Sequence, residues 1–301
     1  MTAEHFSIVT RDELWSLDRR ALIESRLVHG SADLHDNRID ARDDRDDELL
    51  AVCERECQRV REALATLNEG RARAIVSARR TGVESTISIT ILDLSIVTTL
   101  SHLSADYEML IETASERPEA SADDRDLPLI WRNGSGAVLL HEAAGHPAEH
   151  GHAPLAWPSW LTVTDESDEG PADLLRGEAP RAWRRKSFTD VPLRRMTNVV
   201  VGARSSAAKL PRRRIDILLV AGGRYEPLTE SVELSICAAN LVDGDQSVRL
   251  RPFVMQQSRA EIGRALRGAI GEVRRYPGVV CSKEGQELFV ASHAPDLVTE
   301  F

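Results

Sequence analysis

The apolar positions of this chain follow two periods that change along its length. Between Asp12 and Val28, Leu14, Leu17, Ala21 and Leu22 recur at helical spacing behind Thr10, a candidate N-cap, and predict a helix. Residues 29–46 are polar and rich in Asp, and read as a loop. From Asp47 to Leu67, Leu49, Leu50, Cys53, Cys57, Val60, Ala63 and Leu64 draw the apolar stripe of a long amphipathic helix, which Asn68-Glu69-Gly70 ends. Between Glu84 and Leu100 the period drops to two. Ile, Val and Thr dominate there, and the alternation predicts one or two half-buried strands. Residues 115–126 (Ser-Glu-Arg-Pro-Glu-Ala-Ser-Ala-Asp-Asp-Arg-Asp) carry no apolar period and read as a linker.

Beyond the linker, Leu127–Arg132 predicts a short strand and Asn133-Gly134-Ser135-Gly136 a turn. The run Ala137-Val138-Leu139-Leu140 starts a buried helix that Gly145 and Pro147 distort or end near His146. Trp160–Thr164 is a strand candidate, and residues 165–190 read as an insertion or mobile loop. Further strands are expected near Thr197–Ala203, Ile215–Ala221, Glu233–Ala239 and Val248–Gln256. Ile262, Leu266, Ala269, Ile270 and Val273 predict a helix over Ser258–Arg275, with Ser258 and Glu261 as its capping box. Two short strands around Cys281 and Leu288–Ala291 close the chain. The pattern describes an α+β protein, with a smaller N-terminal α/β domain over residues 1–125 and a strand-rich C-terminal domain over residues 126–301. No internal repeat is visible.

Composition narrows the function classes. The chain has 301 residues, 42% hydrophobic and 29% charged, which is ordinary for a globular protein. No apolar run reaches membrane-spanning length, and the N-terminus lacks a basic segment followed by an apolar one, so a cytoplasmic protein with neither a span nor a secretory signal is expected. Four cysteines do not make a disulfide scaffold; Cys53, Cys57 and Cys237 read as small apolar residues. A net charge of −10 argues against generic nucleic-acid binding. The charge is uneven: residues 176–214 hold twelve Lys or Arg against Glu178 and Asp190. That basic band is either a solvated face or an attractor for an acidic partner or a substrate carboxylate.

Candidate chemistry concentrates at residues 139–152, Leu-Leu-His-Glu-Ala-Ala-Gly-His-Pro-Ala-Glu-His-Gly-His. Imidazoles are neutral nitrogen ligands, and a carboxylate beside a metal can take a proton from water bound to it. The competing reading is a histidine-rich surface turn. His141 and His146 stand five residues apart, about 140° around a regular helix, so such a helix would not aim both at one ion. A shared site requires either a π-type turn or a break at Gly145.

Three segments in order carry a family resemblance. His141-Glu142-Ala143-Ala144-Gly145-His146-Pro147-Ala148-Glu149 resembles the HEAxGHxxE motif of the TldD/PmbA (TldD/TldE) metalloproteases. Pro192-Leu193-Arg194-Arg195-Met196-Thr197-Asn198 is similar to that family's Pro-Arg-Met-Thr-Asn segment, and Val280-Cys281-Ser282-Lys283-Glu284-Gly285-Gln286 to its Val-Cys-Gly-Lys-Glu-Gly-Gln segment. The resemblance covers roughly residues 127–295 and departs from the family at Ser282 and Pro147. It implies a Zn2+ cofactor held by His141, His146 and Cys281, with Glu142 as general base to a zinc-activated water. It implies a peptide or unfolded-protein substrate and a homodimer, or a heterodimer with a zinc-less family member. Glu149, Arg195 and Asn198 become candidates for orienting ligands or contacting substrate, while His150 and His152 have no counterpart. Two other readings stay open: a non-catalytic partner or scaffold subunit, and a protein that binds zinc without protease activity.

Overall fold

The structure, a computed structural model, describes residues 5–16, 21–33, 74–81, 84–91, 94–99, 102–115, 119–120, 127–185, 190–204 and 208–301. The helix expected over residues 47–67, with Cys53 and Cys57, lies outside them. The chain divides into two compact units: residues 1–115 with 185–191 and 282–288, and residues 116–184 with 192–281 and 289–301.

In the first unit, β1 (His5–Ser16) pairs antiparallel with β2 (Ala21–Asp33). This corrects the helix expected over residues 12–28. The Leu spacing there is compatible with either period, and the β-branched run Ile8-Val9-Thr10 favours extended chain. β3 (Ala74–Thr81), β4 (Glu84–Ile91) and β5 (Leu94–Thr99) form an antiparallel meander, so the alternating stretch is two strands. Helix α1 (Leu103–Ser115) follows, at a place where the apolar pattern drew no element. Ile89, Ile96 and Leu110 are buried, and Thr98 Oγ1 donates to Asp106 Oδ2 in the first turn of α1.

The second unit opens with β6 (Leu129–Trp131), which leads into α2 (Gly136–Leu140), a π turn (His141–Gly145) and α3 (His146–Glu149). Next come β7 (Leu161–Asp165), β8 (Ala172–Asp173), β9 (Trp183–Arg184), β10 (Leu193–Arg194) and β11 (Asn198–Ala203). The long hairpin of β12 (Arg213–Glu226) and β13 (Ser231–Asp243) precedes β14 (Gln246–Leu250) and β15 (Phe253–Ser258). Helix α4 (Arg259–Ala265), β16 (Leu266–Lys283) and β17 (Gln286–Thr299) complete the chain. The mixed sheet runs β14-β13-β12-β6-β17-β16, with β11 parallel to β17 and antiparallel to β7.

Two expectations change here. Residues 165–190 are not a mobile loop over their described part. Asp173 caps a 3-10 turn at Leu174–Arg176 by accepting from the Leu175 and Arg176 N–H groups, and Ala172, Leu174 and Ala182 are buried. The helix expected over Ser258–Arg275 is correct only in its first half. Its capping box forms, but the chain turns extended at Leu266. Gly268 and Gly271 weaken the helical continuation, and sheet pairing takes over the segment.

The core lies between the 136–149 helical run and the sheet. Arg132 ties three strands together through Asp216 on β12 and Asp296 on β17, each at 2.9 Å. Register shifts between Ile217 and Gly222 bend β12, and the Tyr276 hydroxyl satisfies the Val220 backbone there by accepting its N–H and donating to its carbonyl. Trp131 is fully buried, and its Nε1–H donates to Thr299 Oγ1 at 3.0 Å. Thr299→Val keeps the volume but leaves that N–H unpaired; it is expected to cost about 1–3 kcal/mol, measured by urea unfolding.

Candidate metal centre

The helical run is positioned by the turn before it. Asn133 and Gly134 take left-handed conformations (φ 55° and 83°), and a Cβ on Gly134 would lie 2.7 Å from the Arg274 carbonyl oxygen. The chain thus reverses tightly from β6 into α2, all of whose residues are buried. At His141 the hydrogen bonding widens: the His146 N–H donates to the His141 carbonyl, five residues back. This π turn absorbs the angle that a regular helix would have put between the two histidines. Their rings sit edge to face with centroids 4.9 Å apart.

The run does not break at Gly145, whose φ of −65° is helical. Glycine is needed there for space, because a Cβ would come within 2.2 Å of the Met196 sulfur. Met196 is itself fully buried.

Cys281 arrives on β16, 135 residues from His146, with its Sγ 3.5 Å from His146 Nε2. His141, His146 and Cys281 each offer a ligand atom within 4.8 Å of the others. Glu142 Oε2 lies 3.7 Å from His146 Nε2. The chain approaches Glu142 closely on its other side: a Cβ on Gly223 of β12 would lie 2.5 Å from the Glu142 Cγ. That contact was not anticipated, although a Gly222-Gly223 pair inside an apolar strand is the sequence mark of a close approach.

The electrostatics are those of buried groups that shift one another's protons. Burial raises the Cys281 thiol, but hydrogen bonds from His141 and His146 outweigh it and bring its pKa down to about 5. Burial lowers His146, yet its hydrogen bonds with Cys281 and Glu149 leave it raised well above the usual value. Burial raises the Glu142 carboxyl, while His146 and His141 pull it back. His141 Nδ1 and Glu142 Oε2 are buried without a hydrogen-bond partner. An unpaired buried polar atom costs about 1–3 kcal/mol, so both atoms fit a site completed by a further group. Two imidazoles and a low-pKa thiolate are a donor set suited to zinc.

The structure also places the remaining candidates. Glu149 Oε2 is 3.1 Å from His146 Nδ1, and its Oε1 accepts the Met196 N–H at 3.1 Å. Arg195 Nη2 donates to the Cys281 carbonyl at 2.7 Å. Asn198 faces His293 instead, with Oδ1 2.9 Å from Nδ1. His150 is exposed; His152 Nδ1 lies 2.9 Å from Glu230 Oε1 and 3.1 Å from the Tyr225 hydroxyl, outside the three-ligand cluster.

The fold is similar to that of TldE from Thermococcus kodakarensis, with a TM-score of 0.52 at 10% identity over 99% of this chain and 95% of that one. It is similar also to a proposed modulator of a DNA gyrase from Thermotoga maritima MSB8, with a TM-score of 0.52 at 10% identity over 99% and 94%. The chain has the TldE fold. No model of a known protein family matches the sequence, and no curated protein does. The likeness is one of fold, and it agrees with the TldD/TldE resemblance that the three motifs carry.

Gly145→Ala tests the packing under the π turn. Forcing Met196 aside is expected to cost about 1–3 kcal/mol, read by denaturant unfolding. A stability equal to that of the parent chain would show that the close approach is dispensable.

Proposed function

We propose that this chain is a TldD/PmbA-type zinc metallopeptidase that hydrolyses peptide bonds in extended or unfolded peptides. The observation that carries the reading is the convergence of His141, His146 and Cys281 within 4.8 Å, with the Glu142 carboxylate beside them. On this reading the three residues hold the ion and Glu142 is the catalytic base. When bound, zinc supplies a Lewis acid and makes water acidic enough to lose a proton near neutral pH.

The work of the protein's own residues follows from their placement. Glu142 Oε2 has no competing hydrogen bond, so its lone pairs are available to accept a proton. Burial raises its pKa, which favours its passing that proton on to a leaving amine. Glu149 holds His146 by Nδ1, which directs Nε2 toward Cys281. An unfolded peptide suits such a site, because main-chain pairing binds extended chains without demanding sequence. A cytoplasmic homodimer, or a heterodimer with a zinc-less relative, is part of the same proposal. A non-catalytic partner subunit is the second reading, since the fold is compatible with either role. The presence of all three ligand residues together with Glu142 favours the catalytic one.

Metal analysis of the purified chain is expected to give one zinc per chain, lost in His141→Ala and in Cys281→Ala. Glu142→Gln is expected to keep the zinc and lose about 10²–10⁴-fold in cleavage of an unfolded-protein substrate. Zinc retained by both ligand variants would sink the site, and undiminished cleavage by Glu142→Gln would sink the mechanism. Zinc affinity should also fall as the pH is lowered, because protons compete for the same thiolate and imidazoles; titration with a chelator at several pH values measures this.

A further inference from the structure

Consecutive residues outside the ligand set contact Cys281, the π turn and the carboxylate that holds His146. Arg195 is buried (1% exposed), and its Nη2 donates to the carbonyl of Cys281, the ligand residue on β16. Met196 lays its sulfur over Gly145 in the π turn and gives its N–H to Glu149 Oε1. The other oxygen of Glu149 holds His146 Nδ1. The next two N–H groups, of Thr197 and Asn198, both go to Asp165 Oδ1, at 2.7 and 3.0 Å. Three successive backbone donors therefore bind two buried carboxylates and pin the segment between the helical run and the sheet.

A buried guanidinium and a buried carboxylate are each costly unless their hydrogen bonds are good. Here both are aimed at ligand residues. Cys281 and His146 belong to elements 135 residues apart, yet a metal site tolerates ligand-distance errors of only about 0.2 Å. A contact on the Cys281 main chain and another on the back of the His146 ring set that separation from outside. We infer that Arg195 and Glu149 are positioning residues joined by the Arg195–Thr197 segment into one brace that holds Cys281 against His146. This rests on the metal-site reading above and adds to it a role for the Pro192–Asn198 segment. Arg195 acts through the Cys281 carbonyl and Glu149 through Nδ1; neither enters the ligand cluster itself.

The test uses the full chain with Zn2+ and Co2+. Arg195→Ala and Glu149→Ala are each expected to weaken both ions about 10–100-fold and to alter the sulfur-to-cobalt charge-transfer band. Arg195→Lys, which can still donate, should restore part of both. Thr299→Val, destabilised away from the ligands, should change neither. A second arm needs no metal: alkylation of Cys281 by iodoacetamide, followed on its own peptide, should be several-fold faster in metal-free Arg195→Ala and unchanged in Thr299→Val. Should an alanine variant fail to fold, Arg195→Met and Glu149→Gln carry the same comparisons. Parent-like affinity, cobalt spectrum and alkylation rate in the Arg195 and Glu149 variants would overturn the brace. A parent chain that binds neither ion would remove the metal-site reading, and the alkylation arm would still decide whether Arg195 holds Cys281.

Discussion

One extra residue in a single helical turn organises the candidate site. His146 stands five positions after His141, and the wider π-type hydrogen bond from the His146 N–H to the His141 carbonyl brings both rings to one side. A widened turn is less stable than a regular one, so it needs support from its surroundings. That support is visible on both flanks. Met196 fills the space that a side chain at position 145 would occupy, and Gly223 lets β12 press against Glu142. The turn, its glycine and the two opposing contacts form one mechanical unit.

Charge follows from that geometry. Two imidazoles, a thiol and the Glu142 carboxyl share a volume from which water is largely excluded, so the protons of Cys281, His146 and Glu142 depend on the charged neighbours of each. The thiol is driven toward thiolate and His146 toward its protonated form, and this balance is the one that a bound cation would take over. Glu149 sits just outside, oriented by a backbone N–H, so that one face of His146 is already committed.

The site was more legible in the sequence than much of the fold around it. His-Glu-x-x-x-His carries its own geometric contradiction with a regular helix, which left a π turn or a break at Gly145 open, and the structure has the π turn. Cys281 was reachable only through its matching segment, since a lone cysteine in an apolar strand has no local mark of a ligand. Apolar spacing misread residues 12–28 and the second half of Ser258–Arg275 because strand pairing overrides a helical spacing, helped in the second case by Gly268 and Gly271. Pairing with the neighbouring strand of a hairpin decided the first, and sheet pairing beside β17 the second.

By itself, the sequence determined the α+β class, the strand alternation over Glu84–Leu100 and the cap at Ser258, because each is written in residue type and short-range spacing; the candidate ligand set came from the three segments that resemble the TldD/TldE family. Tertiary structure alone decided that Gly145 serves close packing rather than a helix break, that Glu149 and Arg195 grip opposite ligands, and that β16 is extended where its sequence suits a helix. The packing on Gly145 and the grip of Arg195 depend on contacts between residues tens of positions apart, and no local pattern encodes which distant surface will press on a given turn. The histidine pair at 141 and 146 belongs to both: the spacing was in the chain, and the side chains that make it tolerable came from elsewhere in the fold.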